Sequence, residues 1–225
     1  ALCARRRTVY QTAKDHVTVE GVMTIKKGKL RGLDSFGMLC SGAELGINGD
    51  MYEGGDYNGL LILPPESKNG DDVKPILGLD DYIFDISITA NRPDCQSVLG
   101  IAREVAAALG KKLKEPDCSY AAVNCGDEVK ISNLAPEVCP RYIGHLVKDV
   151  KNVPTPAYMR RRLALCGIRS ISCIVDITNY VLLEMGQPMH AFDYAKLEGG
   201  EIIIRRAENG EKITTLDGNE FELNS

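Results

Sequence analysis

The stretch from Val175 to Asp193, VDITNYVLLEMGQPMHAFD, constrains the fold more than any other window of the chain. Ile174, Val175, Ile177, Val181, Leu182 and Met185 recur near the 3.6-residue period, which predicts a helix over 174–185 with an apolar stripe. Gly186 suits the left-handed residue that follows a helix end, and Pro188 does not readily continue a helix. Gln187, Met189 and His190 are therefore expected on a loop just past the helix stop. Asp176, Thr178, Asn179, Tyr180, Glu184, Gln187 and His190 crowd this one window. Residue types alone leave two readings open. In one, Asp176 and Thr178 cap a helix and His190 is a satisfied loop histidine. In the other, the polar groups line a pocket at the helix end.

The chain has 225 residues, enough for one large or two small domains, and 44% of them are hydrophobic, enough to build a core. A net charge of −4 excludes a broadly basic nucleic-acid platform. Any RNA contact must come from local patches such as Lys26, Lys27, Lys29 and Arg31, or Arg160, Arg161 and Arg162. The eight cysteines include no CxxC, and none pairs with a histidine at metal-ligand spacing, so no metal site and free thiols are expected. No leader pattern or long apolar run is visible, which points to a cytoplasmic protein without a membrane partner.

Taken in order, residues 1–20 carry a basic run and no recognisable motif. Residues 21–80 read as short strands, including Leu60–Leu63 before Pro64-Pro65, with the polar stretch Lys68–Asp81 as a linker. Residues 81–117 read as a strand (Tyr82–Thr89) followed by a helix capped by Asp94, with Val98, Leu99, Ala102, Val105, Ala106 and Leu109 buried and Gly110 as its stop. Asn91, Arg92 and Asp94 are expected to form a turn, a buried ion pair and that cap. From residue 118 onward, strands are expected at Glu128–Leu134 and Arg141–Val150, the latter with His145 on an apolar face. Thr155 is expected to cap a helix over 156–166, which buries Leu163, Cys166 and either Tyr158 or Met159. Glu201–Arg206 is a further strand, and Asp217-Gly218-Asn219 joins a hairpin between Lys212–Leu216 and Glu220–Leu223. The fold class is α+β, with the part from residue 118 on expected to be built from antiparallel strands and two helices.

Three motifs together carry a family resemblance. ALCGIRSIS followed by VDITNYVLLEMGQPMHAFD resembles the B3/B4 module of bacterial phenylalanyl-tRNA synthetase β subunits. SFGMLCSGAELG, with Ser35, Gly37, Met38, Leu39 and Cys40, resembles the signature of the tRNA-binding oligonucleotide-fold domain of the same subunit, and NRPDC to GIAREVAAAL resembles its small structural domain. The resemblance runs from about Lys26 to Ser225. It implies a partial OB-like domain at 21–80, a small strand-helix domain at 81–117 and the first part of a B3/B4 editing domain at 118–225. It further implies that the phenylalanine tRNA and a catalytic α subunit are partners, as a heterotetramer in the family, and that ATP and Mg are handled by the holoenzyme with no cofactor bound by this chain. No phosphate-binding Walker loop and no GxSxG elbow is present, which agrees with both.

On that resemblance Thr178, Asn179 and His190 line an editing pocket that hydrolyses tyrosine wrongly attached to the phenylalanine tRNA, with His190 as the catalytic candidate. Lys27, Lys29, Arg31, Arg160 and Arg161 are the tRNA-contact candidates. Such a site answers a physical problem. An apolar phenylalanine pocket rejects a hydroxylated analogue by only about a hundredfold, whereas a site that hydrogen-bonds the phenol discriminates by roughly ten-thousandfold. The resemblance also places the family's pocket glutamate beyond Ser225, so the chain by itself is expected to deacylate little. The alternative is a non-catalytic tRNA-binding or scaffold role in the same assembly.

Overall fold

The computed structural model describes residues 2–5, 17–19, 23–25, 27–35, 37, 39–56, 59–121 and 129–224. Met38 and most of the 1–20 stretch lie outside the described residues. The chain divides into two compact units, one drawn from 1–115 and 152–190, the other from 116–151 and 191–225. Both helices expected within 118–225 fall in the first unit.

In the first unit, strand β1 (Leu2–Arg5) pairs antiparallel with β6 (Ile83–Ile86), a pairing that no local pattern predicts. β2 (Val17–Val19) pairs with β3 (Met23–Ile25), and β4 (Gly28–Leu30) pairs with β5 (Leu33–Ser35), both antiparallel. The second pair turns tightly at Arg31 and Gly32, whose φ values of 50° and 84° are those of a two-residue hairpin that follows the strand twist. Among the described residues the strands pair only two by two. Leu39, from the resembled oligonucleotide-fold signature, is 76% exposed.

Half of the buried cluster of this unit comes from the stretch where a linker was expected. Asp72 caps a short helix α1 (Val73–Leu77) by accepting from the Lys74 amide at 3.0 Å, and Gly78 ends it at φ 64°. Leu77 and Leu79 are buried with Ile47 and Met51, and Leu61, Leu63, Ala164 and Leu165 pack around them. Residues 60–63 are irregular rather than a strand, yet they still deliver Leu61 and Leu63 to that cluster. Tyr52 fixes this run by donating its hydroxyl to the Ile62 carbonyl at 3.0 Å.

Helix α2 (Val98–Ala108) is capped by Ser97, whose hydroxyl accepts from the Gly100 amide at 3.0 Å, not by Asp94. Asp94 instead binds Arg92 at 2.7 Å, and Arg92 also reaches Glu104 at 2.6 Å; these groups are exposed, not buried as expected. Only Leu99 and Gly100 of α2 are buried, while Val98, Val105 and Leu109 stay open. Gly100 is pressed against the preceding turn. A Cβ there would lie 2.9 Å from the Asp94 carbonyl carbon and closer still to its oxygen. Alanine improves helix propensity by about 1 kcal/mol over glycine, but overpacking against a backbone that must move costs about 1–3 kcal/mol. Gly100→Ala is therefore expected to destabilise, with faster amide exchange across 98–108; slower exchange would refute the close-packing account.

In the second unit, β7 (Lys130–Asn133) and β8 (Glu201–Ile204) pair parallel, where antiparallel pairing was expected. Their register sets Lys130 beside Glu201 at 2.8 Å, and the Ser132 hydroxyl donates to the same carboxylate. Residues 141–150 carry no strand; Ile143, Val147 and His145 are exposed, and His145 stands edge-on to the Tyr120 ring at 6.0 Å. The alternation there is read by no neighbouring strand among the described residues, and β-propensity without a partner does not make one. β9 (Glu211–Thr214) and β10 (Glu220–Leu223) form the expected antiparallel hairpin. Its loop is tied by the Asp217 carboxylate, which accepts from the Thr215 hydroxyl and from the Asn219 side-chain amide at 2.6 Å, while Gly218 takes φ 82°. Arg205 clamps Glu211 through two hydrogen bonds at 2.7 and 2.9 Å, which lowers the Glu211 pKa to about 2. The mixed α+β class stands.

Candidate functional site

The expected site is carried by a pair of helices. α3 (Ala157–Leu165) follows Pro156 and turns Met159 and the fully buried Leu163 inward. Tyr158 and Cys166 stay exposed. α4 (Cys173–Met185) starts at Ser172, whose hydroxyl accepts from the Val175 amide at 3.4 Å, and stops at Gly186 with φ 77°. These bounds match the sequence pattern closely, but the buried face differs. Ile174, Ile177, Leu182 and Met185 are each at least 39% exposed, while the fully buried residue of the helix is Asp176.

Burial of Asp176 is offset by three donors that converge on its carboxylate. Its carboxylate accepts from the Thr155 hydroxyl at 2.5 Å, the Ser170 hydroxyl at 2.5 Å and the Ile171 amide at 2.9 Å. Burial by itself pushes a carboxyl pKa up, but these hydrogen bonds and the nearby positive charge of Arg160 outweigh it and hold the pKa below the usual value. Asp176 therefore stays ionised at neutral pH. It ties the entry to α3 and the turn before α4 to the first turn of α4. Thr155, expected to cap α3, spends its hydroxyl on Asp176 instead, and no side chain caps α3.

Thr178 and Asn179 follow within the next turn, half-buried on adjacent faces about 100° apart. The Thr178 hydroxyl donates to the Val175 carbonyl at 2.7 Å, so its proton is committed within the helix and its oxygen is left as an acceptor. Asn179 offers both an amide donor and an acceptor. His190 stands four residues past Gly186 on an exposed loop that begins with Gln187 donating to the Pro188 carbonyl at 3.1 Å. Two of the three pocket candidates thus sit on a rigid helix fixed by Asp176, and the third sits on the loop that the helix stop releases.

The basic candidates divide by role. Lys27, Lys29 and Arg31 share the exposed β4–β5 hairpin, with Lys27 paired to Asp34 at 3.3 Å and Arg31 in the turn. Arg160 and Arg161 are half-buried on α3. Arg160 donates to the Gly49 carbonyl at 2.5 Å, and the Arg161 guanidinium lies against Gly78, where no side chain stands in its way. The Nε atoms of both are buried without a hydrogen-bond partner. The third arginine of the run differs. Arg162 is exposed, donates to the Tyr180 hydroxyl and lies 5.8 Å from the centre of the Tyr158 ring. Tyr158 meets Tyr180 edge-on at 6.3 Å. The i, i+4 spacing of Tyr158 and Arg162 was the available sequence signal for this cluster.

Asp94, Cys95 and Glu104 have ligand atoms within 4.8 Å of one another, but Arg92 already bridges the two carboxylates. A cation there would have to displace a guanidinium held by both, and the low pKa of Asp94 follows first from its hydrogen bond with Arg92.

Comparison with known proteins gives a consistent picture. Residues 138–225 match the family model of the B3/4 domain. The chain is 50% identical over 206 residues to the phenylalanine–tRNA ligase β subunit of Vibrio parahaemolyticus, covering 91% of the chain and 25% of that protein. It is 50% identical over 205 residues to the β subunit of Anaeromyxobacter dehalogenans (90% and 25%) and 46% identical over 220 residues to that of Syntrophus aciditrophicus (96% and 26%). The chain spans about a quarter of the length of these curated relatives.

Proposed function

From a chain that belongs to the family of phenylalanine–tRNA ligase β subunits, we propose a part in post-transfer editing: hydrolysis of tyrosine mischarged onto the phenylalanine tRNA. The observation that carries this reading is the rigid placement of Thr178 and Asn179 on α4, followed directly by the Gly186 stop and the His190 loop, inside the B3/4 match. On this reading the Thr178 oxygen accepts the tyrosine phenol proton or the substrate amine, Asn179 donates to the ester carbonyl as its oxygen gains charge, and His190 orients the ester or the attacking water. The chemistry is a water attack on an ester with no covalent enzyme intermediate.

The partners proposed with it are the phenylalanine tRNA and an α subunit, and the setting is the cytoplasm. Among the described residues no helix is long and apolar enough to cross a membrane. ATP and Mg chemistry belongs, on this reading, to the complete ligase and not to these residues. The test uses the complete enzyme, α with full-length β. Asn179→Ala is expected to let tyrosyl-tRNA accumulate during aminoacylation with tyrosine, while charging with phenylalanine is unchanged. Equal tyrosyl-tRNA levels in parent and variant would reject the editing assignment.

A further inference from the structure

We infer that Tyr158, Arg162 and Tyr180 form a stacking platform for an unpaired nucleobase of the bound tRNA. The inference rests on the proposal above that this chain meets tRNA, and adds a contact site to it. Helix α3 carries three arginines and no acidic residue within a chain of net charge −4. Two of those charges are turned onto Gly49 and Gly78, and only Arg162 is presented to solvent. Its guanidinium is not loose: the Tyr180 hydroxyl accepts from it, and the Tyr158 ring lies beside it at 5.8 Å. Tyr158 is 50% exposed and braced edge-on by Tyr180. A half-exposed ring braced by a second ring, with a held cation over it, matches a nucleobase and its phosphate better than it matches an apolar protein surface. Stacking uses the ring face, and the guanidinium takes the phosphate or the base edge. A protein partner would need an acidic group opposite Arg162 and is the competing occupant.

The experiment uses the complete α plus full-length β enzyme and the phenylalanine tRNA transcript. With a benzophenone side chain replacing Tyr158, irradiation is expected to join the β subunit to the tRNA. Tyr158→Phe should bind the tRNA as the parent does, because the ring is kept. Tyr158→Ala should weaken binding by roughly ten- to a hundredfold, the range of one lost base stack. Arg162→Gln should lower the slope of log affinity against log salt by about 0.7, as for one phosphate contact on a single strand. A photo-adduct to protein alone, or unchanged tRNA affinity in Tyr158→Ala, overturns the platform. Failure of the platform and failure of the editing reading are separable. His190→Ala and Asn179→Ala report on tyrosine release whatever Tyr158 does, and the adduct reports on RNA contact whatever the release rate is.

Discussion

Asp176→Ala is expected to loosen the α3–α4 pair by about 3 kcal/mol or more, because it leaves two hydroxyls and one amide without their buried acceptor. The effect is large because the carboxylate joins three separate pieces of backbone: residue 155, the turn at 170–171 and the first turn of α4. Asp176→Asn keeps the shape and one acceptor oxygen, and should cost about 1–2 kcal/mol. The pH dependence has a definite sign. The folded pKa of Asp176 lies below its unfolded value, so its stabilisation is fully present above the unfolded carboxyl pKa of about 4 and is lost as pH falls through the lower folded pKa. Hydrogen exchange of the amides in 171–185 reads both effects. Faster exchange is expected for Asp176→Ala at neutral pH, and the gap between parent and variant should close in acid. A parent and variant that exchange alike at neutral pH would show that the carboxylate does not hold the helix pair.

That network shows why part of this site was legible in the sequence and part was not. The extents of α3 and α4 and the Gly186 stop follow from local periodicity and from a glycine at φ 77°. The 211–223 hairpin follows from Asp217-Gly218-Asn219, whose side chains tie the turn within five residues. Asp176 was visible as a polar residue in an apolar pattern, which local rules assign to a cap. Its true donors, Thr155 and Ser170, are 21 and 6 residues away, and no spacing rule joins them. The same applies to the sheets. The parallel pairing of β7 with β8 joins Lys130 to Glu201, and β1 reaches β6 from Leu2 to Ile86, both far beyond any local pattern. Helix α1 was hidden by its polar surroundings. Asp72, Val73, Leu77 and Leu79 supply a cap and buried side chains that only the neighbouring Ile47 and Met51 make into a core. For the candidate site, the sequence supplied Thr178, Asn179 and His190 through resemblance, and the fold supplies what fixes the first two. The distinction among Arg160, Arg161 and Arg162 needed three dimensions, since consecutive positions on a helix point about 100° apart.

The central claim is that Thr178, Asn179 and His190 serve ester hydrolysis, and the most direct measurement is single-turnover release of tyrosine from tyrosyl-tRNA. It is made with complete enzyme in excess, comparing parent, Asn179→Ala and His190→Ala with the spontaneous rate. Asn179 is assigned the developing oxyanion, and loss of one such donor slows the chemical step by about a hundred- to a thousandfold. On the proposed reading His190 positions the ester or the water, so His190→Ala should fall in the same range, with phenylalanine charging within about twofold of the parent. Asp176→Asn is the structural control: it perturbs the support of α4 without removing a group assigned to the substrate. The account predicts tyrosine release near the spontaneous rate in Asn179→Ala and His190→Ala, with phenylalanine charging retained. Tyrosine release at the parental rate in both variants would contradict it.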